Sequence, residues 1–155
     1  MKIIKILVAF GTPLAAGFIG SFFTTPMIET WYADLTKPAL NPPNWIFGPV
    51  WTALYLLMGG AAYMVWTRGW HRSDVKAALT VFFVHLVFNA SWSIVFFGFK
   101  DPLGALIVIA LLWGLIAWMI YLFYPISRIA AWLLVPYLLW VSFAAYLNLS
   151  ILLLN

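Results

Sequence analysis

The chain has 155 residues, of which 66% are hydrophobic and only 8% are charged. Soluble globular domains carry about 25% charged residues, so this composition excludes a soluble domain and predicts a membrane protein. The absence of cysteine excludes disulfides and thiolate metal sites. No spacing of metal ligands and no glycine-rich phosphate loop occurs, and we expect neither a metal nor a nucleic-acid partner.

The charged residues fall in five short patches that leave five charge-free runs. Each run can supply the roughly 20 apolar residues that cross a hydrocarbon core about 30 Å thick. We therefore predict an all-α integral membrane protein, a single-domain bundle of five transmembrane helices. The predicted spans are 5–25, 44–67, 75–99, 103–124 and 129–153. Short connections predict that consecutive helices are antiparallel neighbours.

The lysine and arginine residues are unevenly distributed between the two ends of this bundle. Only Lys37 and Lys100 lie on the side of the loop at 29–44, and the other cations lie on the side of the N-terminus. Cytoplasmic loops carry the excess of positive charge. The distribution predicts that the N-terminus lies inside and the 29–44 loop outside.

Glycine and alanine cluster in the first two spans. Small residues let helix backbones approach closely within a membrane, so we interpret these clusters as packing surfaces rather than ligand contacts. The residues are Gly11, Ala15, Ala16, Gly17 and Gly20 in the first span, and Gly59, Gly60, Ala61 and Ala62 in the second.

Residues 31–51 read WYADLTKPALNPPNWIFGPVW and contain four prolines and three tryptophans. Proline fixes its own φ and restricts the residue before it, so this loop can be ordered without being helical. Trp31 and Tyr32 add apolar surface that would seek cover over the mouth of the bundle. We predict that the loop is a lid over a cavity.

Aromatic and polar residues share helical stripes in three spans. A polar side chain within a membrane is costly unless it has a partner or faces a cavity, so these stripes predict a pocket for a large, flat, mostly apolar ligand. Alternatively, the tryptophans form interfacial belts, and Asn89 and His85 only bond to neighbouring helices. The stripes are Trp51, Tyr55, Met58 and Ala62; His85, Asn89, Trp92 and Phe96; and Trp140, Ala144, Leu147 and Asn148, the last following a potential kink at Pro136.

The 31–51 segment, followed by LYLLMGGAAYMVW, FNASWSIVFFG and PYLLWVSFAAYLN, resembles the tryptophan-rich sensory protein and translocator protein family, formerly called the peripheral benzodiazepine receptor. The resemblance runs in order along nearly the whole chain. It implies a five-helix membrane fold, usually a homodimer, that binds porphyrins such as protoporphyrin IX and synthetic isoquinoline carboxamides beneath the first loop. No cofactor is required.

Matching motifs carry the family's pocket over to particular positions of this chain. Some bacterial members are reported to degrade protoporphyrin in light, and the two tryptophans implicated match Trp51 and Trp140, which would then be catalytic. Animal members have a basic residue in a cholesterol-recognition segment, but none follows Tyr146 here, so we expect a bacterial cell membrane and no sterol handling. The implied ligand-binding residues are Tyr32, Pro42, Trp51, Asn89, Trp92, Trp140, Ala144 and Leu147.

Three functions remain open at this point. The first is a sensing, regulatory or translocating membrane protein that binds porphyrins, with membrane lipid and a second copy of the chain as its partners. The second is a light-dependent porphyrin-degrading enzyme that uses pocket tryptophans. The third is an assembly partner whose pocket is a switch. Ordinary hydrolytic or redox catalysis is not expected, because the spans contain no mid-membrane carboxylate and only one histidine, His85.

Overall fold

The computed structural model describes residues 1–155, and helices are its only regular secondary structure. Five of its helical segments are long and apolar enough to cross a membrane, which confirms the predicted all-α bundle of five spans. The helices are α1 (Lys2–Ile28), α2 (Asn44–Trp66), α3 (Ser73–Ser93, continued by a π-helical turn at Ile94–Gly98), α4 (Pro102–Phe123), α5 (Arg128–Leu133) and α6 (Val135–Leu154).

Local sequence signals account for where several helices begin. The side chain of Asp101 accepts a hydrogen bond from the backbone N–H of Gly104 at 3.0 Å, and Pro102 occupies the first turn of α4, where its missing N–H costs nothing. Ser127 caps α5 by accepting from the N–H of Ala130 at 3.2 Å. The fifth span is interrupted at Leu134, two residues before Pro136, because proline cannot continue the helical hydrogen-bond pattern.

The helices pack in a ring. α1 contacts α2 and α3, α4 contacts α3 and α6, and α2 contacts α5. Towards the 29–43 loop, α2 and α6 meet through aromatic side chains, with ring centroids 6.0 Å apart for Phe47 and Trp140 and 6.3 Å apart for Trp51 and Tyr137. The half of the bundle remote from the loop is a dense core, whose fully buried side chains include Met58, Leu79, Phe82, Ile116 and Leu134. The half beneath the loop encloses a cavity.

Glycines bring α1 close to α2, as the small-residue clusters predicted. A Cβ atom on Gly59 would collide with the ring of Phe10, and one on Gly17 would collide with the ring of Tyr55. Gly11 differs, because a Cβ atom there would meet nothing within 4 Å. Close packing at α1 therefore depends on particular glycines rather than on the whole cluster.

Candidate functional site

The cavity beneath the 29–43 loop has a volume of about 440 Å³, which lies within the range of small-molecule pockets. We call it the chamber. It is lined by 27 residues from the loop and from α1, α2, α3, α4 and α6, and none of them is charged. Between α1 and α2 the lining residues Phe18, Ser21 and Thr52 are exposed, so the chamber also reaches the lipid-facing surface.

The structure brings seven of the eight sequence-predicted binding residues together on the chamber wall. They are Tyr32, Trp51, Asn89, Trp92, Trp140, Ala144 and Leu147. Pro42 lies outside the lining, and its carbonyl oxygen accepts a hydrogen bond from Asn41 Nδ2 at 3.3 Å. Pro42 therefore shapes the loop.

One aromatic wall of the chamber consists of Trp51 and Tyr55. Their rings stack with centroids 5.7 Å apart and an interplanar angle of 28°. Tyr55 is fixed on two sides, because its ring lies against Gly17 and its hydroxyl donates a hydrogen bond to Asn89 Oδ1 at 3.0 Å. The orientation of Trp51 thus depends on a tyrosine held between α1 and α3.

Asn89 connects three helices. It accepts from Tyr55 of α2, and its Nδ2 donates to Tyr137 Oη of α6 at 2.9 Å in the buried core. Asn89 therefore bonds to neighbouring helices, as the alternative interpretation expects, and its side chain also lies on the chamber lining. Through its bond to Tyr55, Asn89 holds one ring of the chamber wall in place.

A second aromatic wall is formed by Trp92 and Phe96, which stack with centroids 5.1 Å apart and an angle of 23°. The indole N–H of Trp92 donates to Asn148 Oδ1 at 3.0 Å, and Asn148 Nδ2 donates to the carbonyl oxygen of Pro102 at 2.8 Å. These bonds tie α3, α6 and the start of α4 together. The wall is therefore held rigidly around the chamber.

Trp140 completes the aromatic lining from α6. Its ring meets Phe47 at 6.0 Å and Phe143 at 5.6 Å. The Nε1 atom of Trp140 is buried and has no hydrogen-bond acceptor, which is uncommon for a buried donor. Trp140 thus differs from Trp92, whose N–H is satisfied by the protein.

We call residues 29–43 the lid. Trp31 meets Phe96 at 5.6 Å and Phe97 at 6.3 Å, and Tyr32 meets Phe97 at 5.7 Å. Both phenylalanines belong to the π-helical turn. The altered helical register there directs two consecutive aromatic side chains towards the lid. The lid is therefore ordered by these aromatic contacts as well as by its prolines.

Polar contacts within the lid hold Tyr32 on the chamber lining. Its hydroxyl donates to Asn41 Oδ1 at 3.2 Å. Burial raises the pKa of the Tyr32 phenol, and the Asn41 bond opposes that rise more weakly, so the phenol is neutral at physiological pH. The Nζ atom of Lys37 lies 4.5 Å from the centre of the Tyr32 ring and donates to the carbonyl of Leu35 at 3.2 Å. Lys37 has no carboxylate partner.

Some members of the predicted stripes lie away from the chamber. Met58 and Ala62 belong to the buried core. His85 is fully buried between the rings of Phe82 and Tyr137. Its Nδ1 pairs with the carbonyl oxygen of Phe82 in its own helix, so the expected bond from His85 to a neighbouring helix is wrong. The α2 and α3 stripes therefore meet the chamber at the end nearer the lid and continue into the core, whereas all four members of the α6 stripe lie on the lining.

Sequence reasoning missed a large part of the lining. α1 contributes a continuous face, and α2 and α4 add further apolar positions: Leu14, Gly17, Phe18, Gly20, Ser21, Thr24, Thr25, Ile28, Phe47, Ile109 and Leu112. The sequence interpretation assigns the glycines of α1 to helix packing rather than to ligand contact. The recurrence of Gly17, Gly20, Ser21 and Thr24 at helical spacing was the signal that could have identified this face.

Comparison with known proteins places this architecture among described relatives. Residues 9–154 match the model of the TspO/MBR family. The chain is 46% identical to the tryptophan-rich protein TspO of Archaeoglobus fulgidus over 157 aligned residues, which cover 100% of this chain and 99% of that protein. It is 37% identical to the human translocator protein, over 88% of this chain and 81% of that one. It is 38% identical to a tryptophan-rich sensory protein of Cereibacter sphaeroides, over 82% and 78% respectively.

Proposed function

Because the chain belongs to the TspO/MBR family and is a multi-pass integral membrane protein, we propose that it binds porphyrins such as protoporphyrin IX in the chamber. Binding would serve a sensing, regulatory or translocating role in a bacterial cell membrane. The names of the human and Cereibacter relatives, translocator protein and tryptophan-rich sensory protein, support this class of role. We propose a homodimer as the working unit, as the family resemblance implies.

The observation that carries this proposal is an uncharged chamber with rigid aromatic walls. The stacked pairs Trp51 with Tyr55 and Trp92 with Phe96 present ring surfaces, and Trp140 adds a third. Each favourable contact between aromatic rings is worth about 0.5 to 1.5 kcal/mol beyond the area that it buries. A flat macrocycle would collect several such contacts at once, whereas a charged polar ligand would lose its hydration without compensation.

The carboxylates of a porphyrin need a different environment from its ring. No charged side chain lines the chamber, so the propionate groups would lie at the mouth beneath the lid rather than deep inside. Lys37 is the cation of the lid and has no ion-pair partner. We propose that Lys37 attracts the ligand carboxylates while the ring stacks on the tryptophans.

An apolar ligand also has a path from the membrane. The exposed lining residues Phe18, Ser21 and Thr52 mark a lateral opening between α1 and α2. A porphyrin dissolved in the bilayer could reach the walls through this opening without crossing water. Membrane lipid thus contacts the opening of the chamber as well as surrounding the protein.

The second candidate function is light-dependent degradation of the bound porphyrin. It is favoured by the position of two oxidisable indoles, Trp51 and Trp140, on the chamber lining. A porphyrin excited by light would transfer its energy to dissolved molecular oxygen and so produce reactive oxygen species next to these rings. No acid or base is needed for such chemistry.

Titration of protoporphyrin IX into the purified protein, followed by quenching of tryptophan fluorescence, tests the proposal. We expect saturable quenching with one site per chain. The titrated sample is then divided between light and darkness, and the absorbance of the pigment is followed. Absence of saturable quenching would refute porphyrin binding. Bleaching no faster than that of the free pigment in detergent would refute the enzymatic alternative.

A further inference from the structure

The lid is joined to the end of the fifth span by one asparagine side chain, that of Asn155. Asn155 Oδ1 accepts a hydrogen bond from the backbone N–H of Thr36 at 2.9 Å, and Asn155 Nδ2 donates to the carbonyl oxygen of Thr36, also at 2.9 Å. The two residues are 119 positions apart in sequence. A side-chain amide thus pairs with both backbone groups of a single lid residue, which fixes the position and the orientation of the lid at that point.

The other side-chain hydrogen bonds of the lid are local. The hydroxyl of Tyr32 bonds to Asn41, Lys37 bonds to carbonyl groups of the lid itself, and Thr30 bonds to Pro26 at the end of α1. None of these bonds reaches across the chamber. The pair formed by Asn155 and Thr36 is therefore the only side-chain hydrogen bonding between the lid and the helices beyond α1.

Asn155 is also connected to the chamber wall. Its Nδ2 donates to the carbonyl oxygen of Ile151 at 2.8 Å, and Ile151 lies on the chamber lining in the same helix as Trp140 and Ala144. The Ile151 side chain is 2% exposed and packs in one cluster with Tyr32 and Phe96. The helix that supplies the third aromatic wall therefore also holds the lid.

From this geometry we propose that Asn155 is a positioning residue for ligand binding: it clamps the lid at Thr36 and so sets how often the mouth of the chamber is open. The proposal rests on the proposed function, porphyrin binding in the chamber, and adds how entry of the ligand into the chamber is controlled. Without the clamp, Trp31 and Tyr32 still pack on the π-helical turn. The lid would then remain folded but open more often at its middle.

The test compares Asn155→Ala with the parent protein and with a matched control, Ser150→Ala. Ser150 lies on α6, and its hydroxyl donates only to the carbonyl oxygen of Tyr146 in the same helix, so its loss removes a hydrogen bond without touching the lid. The first measurement is amide hydrogen exchange at Thr36. We expect at least fivefold faster exchange in Asn155→Ala and no change in Ser150→Ala, with unchanged exchange in the helices.

The second measurement reports access to the chamber without any porphyrin. The chain has no cysteine, so Ala144→Cys introduces a single thiol on the chamber lining. A water-soluble thiol reagent should label this thiol roughly five times faster when Asn155 is replaced by alanine, because loss of two exposed hydrogen bonds changes an opening equilibrium by about that factor. The same labelling in the Ser150→Ala background should match the parent rate.

The third measurement is the rate at which bound protoporphyrin IX dissociates, which should rise about fivefold in Asn155→Ala. Unchanged exchange at Thr36 would overturn the clamp. Faster exchange with unchanged labelling and dissociation would overturn its control of access. If the parent protein binds no porphyrin, the proposed function fails, whereas the exchange and labelling measurements still decide whether Asn155 holds the mouth closed.

Discussion

Replacing Gly17 with alanine tests whether the aromatic wall depends on the close contact between α1 and α2. A Cβ atom on Gly17 would lie 2.8 Å from Cδ2 and 3.0 Å from Cζ of Tyr55, whereas carbon atoms in contact are separated by about 3.5 to 4.0 Å. The ring of Tyr55 must therefore move by about 1 Å. Its hydrogen bond to Asn89, now 3.0 Å long, would be stretched or lost.

Two terms set the size of this effect. Overpacking in a well-packed region commonly costs about 1 to 3 kcal/mol. Leaving Asn89 Oδ1 without its donor adds about 1 to 3 kcal/mol in a buried setting. The two costs overlap, because relaxation that relieves the clash also weakens the bond, so we expect Gly17→Ala to lower the free energy of unfolding by about 2 to 4 kcal/mol.

Gly11→Ala is the matched control, because it lies in the same helix and its new Cβ atom would meet nothing within 4 Å. Both substitutions gain the same helix propensity of about 1 kcal/mol, so the difference between them isolates the contact with Tyr55. The measurements are the denaturation midpoint in detergent and the affinity for protoporphyrin IX by fluorescence quenching. We expect Gly17→Ala to bind at least tenfold more weakly than Gly11→Ala. Equal midpoints and equal affinities would refute the packing of Tyr55 against Gly17.

Three further substitutions probe the walls and the mouth of the chamber. Ala144→Leu adds bulk to the lining and should weaken protoporphyrin IX binding roughly tenfold or more; equal binding would mean that this face of α6 does not meet the ligand. Trp51→Phe and Trp140→Phe should each cost only about 0.5 to 1.5 kcal/mol of affinity yet abolish any light-dependent bleaching, since phenylalanine is far harder to oxidise. Bleaching at the parent rate and at matched occupancy would leave the tryptophans as a binding wall. Lys37→Gln should weaken binding of free-acid protoporphyrin IX about two- to fivefold and leave its dimethyl ester unaffected, as measured by parallel titrations. Equal losses for both compounds would argue against a contact between Lys37 and the carboxylates.

The sequence alone determined the class of fold. Each span is a continuous apolar run, and a chain inside a bilayer must satisfy its own backbone hydrogen bonds, so run length leads directly to helices and their number. The stiffness of the lid was also readable, because proline acts on its own residue and the one before it. The stripes in α2, α3 and α6 located three parts of the chamber wall, because a polar group within a membrane is costly unless it has a hydrogen-bond partner or faces a cavity.

The tertiary structure alone decided which other faces meet the chamber and how its walls are held. Lipid and the protein interior are about equally apolar, so hydrophobic periodicity does not show which face of a span such as α1 points inwards. The partners of Asn89 come from α2 and α6, and Asn155 bonds to Thr36 of the lid, so neither contact can be deduced from local spacing. These contacts join residues distant in sequence, and their geometry depends on how whole helices pack, which is why only the folded bundle shows that a glycine positions an aromatic wall and that an asparagine holds the lid.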